Sequence, residues 1–410
     1  MHDFDREIEL LRDRWDSPAA QEIVRNLVTS LWQAGGPNDQ TRHQAAAIRQ
    51  MLQTRLSAAP PSAEQFALLN ISYLLEQGLG NRDEALDLAG RVELLSRQVA
   101  APIQRVRALF QMAKALLYVD RNADAVRWTR RGLQQGDQLE QAAASEGALG
   151  DAELAELRRL LADQESRQVN RMATLGGMNA EVDQAVESVL NRWATLNEPS
   201  GMASALGMLV EARSFQGRWA DAAELARKAL AAVGYPPTKD PGIAYALCFG
   251  GLALCRLGDA QTALAWATDS ASVSQDVANH ECLLEARAVH AVALAATGRI
   301  GEAVSEIDGV VHESAVLNMG ELTGWVVGLR GWLRMNARLP TPPDELLEAY
   351  QYLADHGYRV VAAEVLYATV CALHLAGRDN QKELSEAIAQ FEQFGMVWHL
   401  ERARRGALIR

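Results

Sequence analysis

The sequence predicts an all-α fold in which antiparallel helix pairs stack into a solenoid with a period of about 40 residues. Three observations support this prediction. The chain of 410 residues is rich in alanine and leucine, whereas it has 12 prolines and only 6% aromatic residues, and such a composition favours helices. A short turn motif recurs along the chain. The spacing between its copies stays close to 40 residues.

The motif consists of a glycine, four residues, and an alanine that begins an amphipathic run, as in "GRWADAAELARKAL" from Gly217 to Leu230. Glycine ends a helix here because it tolerates a positive φ angle. A neighbouring Asp, Asn or Ser can cap the next helix. Each pair then exposes an apolar face that a neighbouring pair must bury. The predicted turns lie at Gly80, Asp120, Gly217, Gly258, Gly298, a proline-rich stretch near Arg338, and Gly377.

One region breaks this period. The gap between Asp120 and Gly217 is 97 residues rather than 80, and within it Leu154, Leu157, Leu160 and Leu161 form a narrow apolar stripe. Two interpretations stay open, a longer helix or inserted hairpin, and two poorly conforming repeats. We divide the chain into N-terminal repeats over residues 1–135, an irregular acidic helical insertion over 136–183, and C-terminal repeats over 184–410.

The turn and second helix of this motif resemble those of the tetratricopeptide repeat. The copies here are longer than the family's period of about 34 residues. In this longer period the chain is similar to the sensor regions of MalT/LuxR-type bacterial regulators. The stretch "AIAQFEQFGMVWHLERARR" resembles the closing helix pair of those regions. The residues that carry this second likeness are Phe391, Phe394, Gly395, Trp398, Glu401 and Arg402.

This resemblance implies a right-handed superhelix whose concave groove is lined by the first helix of each pair. The inward positions would lie about thirteen, ten, six and three residues before each turn. For the two tryptophans among them, plain core packing stays open as an alternative to ligand binding. The groove candidates are Asn70, Arg107, Lys114, Glu211, Tyr245, Glu285, Trp325, Trp332, Glu364 and Tyr367.

Charge and hydropathy argue against nucleic-acid binding and against a membrane-spanning helix. A net charge of −12 and a pI of about 5.3 disfavour nucleic-acid binding, because an acidic chain repels phosphate backbones. The first residues are too charged for a signal peptide. The longest uncharged run, Gly242 to Cys255, has 14 residues, whereas a membrane-spanning helix needs about 20. We therefore expect a cytoplasmic protein, and the resemblance implies a bacterial one.

Catalytic and metal-binding motifs are missing from the sequence. It has no GxxxxGK[ST], no GxGxxG after a strand and no HExxH, and its eight histidines have no metal spacing. Cys248 and Cys255 lie two helical turns apart, about 10 Å along the axis, which is too far for a disulfide. We predict no enzymatic activity, no cofactor, no metal site, and four reduced cysteines.

The function that the resemblance implies is a non-enzymatic sensor or scaffold. It would bind a peptide or protein segment in its groove and regulate a signalling or transcriptional partner. A homodimer is compatible with this function. The alternative is the small-molecule-sensing half of a larger signalling protein, a transcription regulator or a nucleotide cyclase, whose effector domain is absent here. A small-molecule effector is therefore the second class of ligand.

Overall fold

The computed structural model describes residues 39–58, 60–176, 179–234, 241–277 and 279–405. The regular elements within these ranges are all α-helices, in agreement with the predicted fold class. The helices of the N-terminal half are α1 Asp39–Ala58, α2 Ala63–Gly78, α3 Arg82–Val99, α4 Pro102–Tyr118, α5 Asn122–Glu146, α6 Asp151–Thr174, α7 Asn179–Leu196 and α8 Pro199–Phe215. They are followed by α9 Trp219–Val233, α10 Pro241–Leu257, α11 Ala260–Asp276, α12 His280–Ala296, α13 Ile300–Val316, α14 Gly320–Asn336, α15 Pro343–Asp355, α16 Arg359–Leu375, α17 Gln381–Phe394 and α18 Val397–Arg404.

The described residues form two compact units, one ending at Gln164 and the other beginning at Glu165. In the first unit, each helix from α2 to α5 packs on its neighbours along the chain, and in the second the same holds from α8 to α17. No helix in the described part of the chain is long and apolar enough to cross a membrane. The division into segments 1–135, 136–183 and 184–410 stays a prediction.

The turns are where the sequence places them. Every predicted turn residue has a positive φ, including Gly217 at 71° and the two substitutes, Asp120 at 58° and Arg338 at 56°. Where an alanine follows the turn, at Ala85, Ala125, Ala222, Ala263 and Ala303, it is at most 1% exposed. A small side chain at this position lets the second helix of each pair approach the first closely, which confirms the repeat unit.

The irregular region is explained by helix length. Gly176 has a φ of 87° and lies 41 residues before Gly217, so the regular spacing resumes there. The extra residues lie in α5 and α6, which have 25 and 24 residues where most later helices have 17. Leu157 and Leu161 are fully buried against α4, so the leucine stripe of α6 is a packing face. Longer helices, the first interpretation, account for the gap.

Helix α14 packs closely against its neighbours at three glycines. A Cβ atom on Gly320, Gly324 or Gly328 would lie less than 3 Å from side chains of α15 or α16. The four-residue spacing of these glycines therefore serves close helix packing. The four cysteines are free, and three of them are buried. Burial raises the pKa of Cys255 to about 11 and that of Cys371 to about 12, which makes them unreactive thiols.

Candidate functional site

The first helices of successive pairs in the second unit form one layer. Helices α8, α10, α12, α14 and α16 each contact the next member of this series directly. Seven of the ten groove candidates lie on these five helices. Six of these seven side chains gather in two clusters of different chemistry, one around Glu285 and one around Glu364, whereas Trp325 lies apart from both.

We call the first of these the acidic cluster, which comprises Glu211, Tyr245, Glu281, Glu285 and Glu321. Burial and the charges of its glutamates raise the pKa of Tyr245 well above its ordinary value. The structure thus brings together three sequence-predicted residues, one from each of α8, α10 and α12. The side-chain amide of Asn279 also donates a long hydrogen bond, of 3.5 Å, to the hydroxyl of Tyr245.

The most isolated member of the acidic cluster is Glu285. Glu285 is 8% exposed, and its Oε2 atom has no hydrogen-bond partner among the described residues. Burial raises the pKa of this carboxyl well above its ordinary value, and the charges of Glu211, Glu281 and Glu321 raise it further. A buried carboxylate without a partner raises the free energy of the folded protein. A hydrogen-bond donor or a cation beside Glu285 would lower it.

Glu211 is better satisfied but also perturbed. Asn170 donates a hydrogen bond from Nδ2 to its Oε2 over 2.7 Å. Burial nevertheless raises the pKa of Glu211 to about 8, against the lowering effect of the Asn170 hydrogen bond and with a further rise from Glu281. In the described part of the chain, neither Glu211 nor Glu285 forms an ion pair. Within that part, neither carboxyl has a cation that would compensate its ionised form, so the ionisation of both is unfavourable in the free protein.

The second group, which we call the tryptophan–arginine cluster, comprises Trp219, Arg256, Trp332, Glu364, Tyr367, Trp398, His399 and Arg402. The guanidinium of Arg256 lies 5.7 Å from the ring of Trp219 and 5.5 Å from that of Trp398. Arg402 lies in the same way 5.6 Å from Trp332 and 5.4 Å from Trp398. Of these cation–π contacts, Arg256 with Trp398 joins α18 to α10, and Arg402 with Trp332 joins α18 to α14.

Glu364 shows how a buried carboxylate behaves when it is compensated. Arg256 lies 3.4 Å and His399 Nε2 3.7 Å from its Oε1 atom. Burial opposes its ionisation, but the contact with His399 and the charges of His399 and Arg256 outweigh burial and hold the pKa of Glu364 below its ordinary value. Glu364 is thus an internal ion-pair partner. Among the described residues, Glu285 has no equivalent cation.

The other two candidates of the second cluster form an aromatic contact. The rings of Trp332 and Tyr367 lie 5.6 Å apart, and Tyr367 is 1% exposed. Trp325 lies elsewhere, with its ring 6.0 Å from Phe215 and 5.9 Å from Phe249. It is 3% exposed, which places it in the hydrophobic core of the second unit.

The three remaining candidates lie in the first unit, and each is engaged locally. Asn70 donates a hydrogen bond to the carbonyl oxygen of Phe66 over 2.8 Å. Arg107 forms an ion pair with Glu156. The ammonium of Lys114 lies 5.7 Å from the ring centre of Tyr118, so these residues do not form a shared cluster.

Several residues of both clusters escape sequence reasoning. Glu281 and Glu321 are one 40-residue period apart, in the first turns of α12 and α14, and comparison of equivalent positions could have found them. No such signal exists for Asn170 or Arg256, because they approach the clusters from different positions in their helices. The sequence singles out Arg402 only as part of the closing helix pair and not as a groove residue. In the described ranges, no group of three or more His, Cys, Asp or Glu residues could hold a metal ion.

Comparison with known proteins identifies the fold. No family model and no curated protein matches the sequence. Among solved structures, a Rap protein complexed with Competence and Sporulation Factor is similar, with a TM-score of 0.56 at 10% identity, over 94% of this chain and 98% of that one. The apo form of the quorum sensor NprR from B. thuringiensis has a TM-score of 0.50 at 11% identity, over 90% of this chain and 97% of that one. The likeness confirms a tetratricopeptide-like helical solenoid.

Proposed function

We propose that this protein is a non-enzymatic regulatory scaffold that binds a peptide or protein segment along the first helices of its second unit. A cationic group of that ligand, an ammonium or a guanidinium, would occupy the acidic cluster. Binding would then change the activity of a signalling or transcriptional partner. The protein would act in the cytoplasm of a bacterium.

The observation that carries this proposal is the unpartnered carboxylate of Glu285. Its burial and its glutamate neighbours make ionisation unfavourable in the free protein. A cation placed between Glu285 and Glu211 would relieve both the desolvation cost and the mutual repulsion. Charge-assisted hydrogen bonds to a carboxylate are stronger than neutral ones, so this position would contribute to both affinity and specificity.

The similar structures support a signal-binding role. One was solved in complex with Competence and Sporulation Factor, and the other is a quorum sensor. The likeness extends over nearly the whole length of both chains. A protein that shares their fold and has, in its described residues, two buried carboxyls without a cation on its first helices fits such a role better than a purely structural one.

The position of the acidic cluster suggests how binding would be transmitted. Glu211, Tyr245 and Glu285 belong to three consecutive first helices, α8, α10 and α12. A ligand that contacts all three would favour one packing of these helices over others, and that differential affinity is what shifts a conformational equilibrium. The partner would respond to the resulting arrangement of the second unit.

The proposal is tested by peptide capture with the full chain. The immobilised protein is incubated with a library of short peptides that differ in one position, Lys or Arg against Gln, and in a free or acetylated N-terminus. Bound peptides are identified by mass spectrometry. We expect enrichment of peptides with a cation at a defined position, and at least about a tenfold loss of affinity in Glu285→Gln.

The matched control is Glu224→Gln, which changes an exposed glutamate of α9 that pairs with Lys228. This variant should retain the wild-type affinity. Enrichment that does not depend on the cation, or is unchanged in Glu285→Gln and Glu211→Gln, would exclude the acidic cluster as the site. The absence of any enriched peptide would overturn the proposed function itself.

A further inference from the structure

A cavity of about 390 Å³ lies in the first unit, between α3, α4 and α5. It is separate from both clusters described above. Its wall combines apolar residues with polar and charged ones, among them Val106, Leu109 and three arginines. Cavities of roughly 300–1,000 Å³ with apolar walls and a few convergent polar groups are typical of small-molecule sites.

The charges of this cavity do not balance. Three arginines, Arg97, Arg105 and Arg131, line it together with one acid, Glu93. The acid is already used, because Arg97 binds both oxygens of the Glu93 carboxylate over 2.8 Å each. Two guanidinium groups are left, and within the described part of the chain neither Arg105 nor Arg131 forms an ion pair.

Both remaining arginines are held in place without losing their donors. The Nε of Arg105 donates to the carbonyl oxygen of Ala100 over 2.9 Å, which leaves its terminal nitrogens available. The guanidinium of Arg131 lies 5.3 Å from the ring of Trp128, an arrangement that orients the group but satisfies no N–H. A guanidinium fork fits the oxygens of a phosphate or carboxylate in a bidentate manner.

The geometry points to this cavity as a binding site for a small organic phosphate, a phosphate monoester with an apolar group. Two uncompensated positive charges match the two negative charges of a monoester near neutral pH. The side-chain amides of Gln135 and Gln138 supply further hydrogen-bond donors at the same wall. Val106 and Leu109 offer the apolar surface for the organic part. This inference does not depend on the proposed function of the second unit.

The test measures binding of phenyl phosphate to the full chain by isothermal titration calorimetry and by ³¹P NMR line width. Arg105→Gln and Arg131→Gln should each weaken binding about tenfold or more, because each removes a charged donor. Arg91→Gln is the matched control. Arg91 lies on α3 but outside the cavity, and it lies 3.9 Å from Asp87, so its loss should leave the affinity within twofold. Circular dichroism confirms that the variants are folded.

Four further outcomes would contradict the proposal in whole or in part. Failure of phenyl phosphate to bind at millimolar concentration, or equal binding by all three variants, overturns the site. Inorganic phosphate should bind more weakly than phenyl phosphate, since it has no apolar part, and equal affinity would contradict the role given to Val106 and Leu109. A short phosphoserine peptide that binds more tightly than phenyl phosphate would overturn the assignment to a small molecule.

Discussion

The ring of Trp398 packs edge-on against the ring of Trp219, with their centres 5.9 Å apart and their planes at 88°. Trp219 begins α9 and Trp398 lies in α18, so the contact joins positions 179 residues apart in sequence. A simple stack of repeats would pair each helix with its immediate neighbours. Helix α18 therefore ties the end of the second unit to a much earlier repeat.

This contact predicts a stability effect. Trp398→Ala removes the ring that contacts Trp219 and that lies between the guanidinium groups of Arg256 and Arg402. We expect a loss of about 2–3 kcal/mol in the free energy of unfolding, from the packing and cation–π terms together. Urea denaturation measures it. Val397→Ala, at a 62% exposed neighbour, should change stability by less than about 0.5 kcal/mol, and equal effects in both variants would contradict the assigned role of α18.

The turn residues predict a second stability effect. Substitutions at two equivalent turn positions should change the free energy of unfolding in opposite directions. Arg338 has a φ of 56° and is exposed, so Arg338→Gly should stabilise the protein by about 0.5–1 kcal/mol because glycine carries no strain there. Gly258→Ala, at a φ of 93° with open space around it, should destabilise it by about 1–2 kcal/mol. Thermal unfolding measures both. Shifts of the same sign would argue against backbone strain as the cause.

The repeat architecture could be predicted from the sequence because it depends on local chemistry. A turn glycine such as Gly217 and the buried alanine that follows, such as Ala222, act within a single hairpin, and their spacing repeats in the chain. Glu285 could be selected in the same way from its position before a turn. The role of Arg256 could not, because it follows from the return of α18 to α10. That contact depends on how many repeats separate the two helices and on how each pair packs.

The raised pKa of Glu211 predicts a pH dependence of stability. Its ordinary value is 4.5, and in the folded protein it is about 8. A group whose pKa is higher in the folded state favours folding below its unfolded pKa and loses that contribution as the pH rises. The stabilising contribution should therefore be complete below pH 4.5 and be lost progressively up to about pH 8.

Glu211→Gln isolates this contribution. The variant keeps an acceptor for Asn170 but cannot ionise, so it should be more stable than wild type by about 1 kcal/mol or more at pH 8, with a smaller difference at pH 5. Urea denaturation at both pH values provides the comparison, with Glu224→Gln as the exposed control. A difference that is the same at pH 5 and pH 8 would show that ionisation of Glu211 does not contribute.

The same carboxyls predict that ligand binding releases protons. Glu211 has a pKa of about 8 and the pKa of Glu285 is also raised, so at pH 7 the free acidic cluster holds protons that a bound cation would displace. For a cationic peptide recovered by capture, affinity should therefore increase between pH 6 and pH 8. Calorimetric titration at pH 7 in two buffers of different ionisation enthalpy gives the number of protons released. Glu211→Gln should release fewer protons than wild type, and identical apparent enthalpies in the two buffers would rule out the acidic cluster as the position of the ligand's cation.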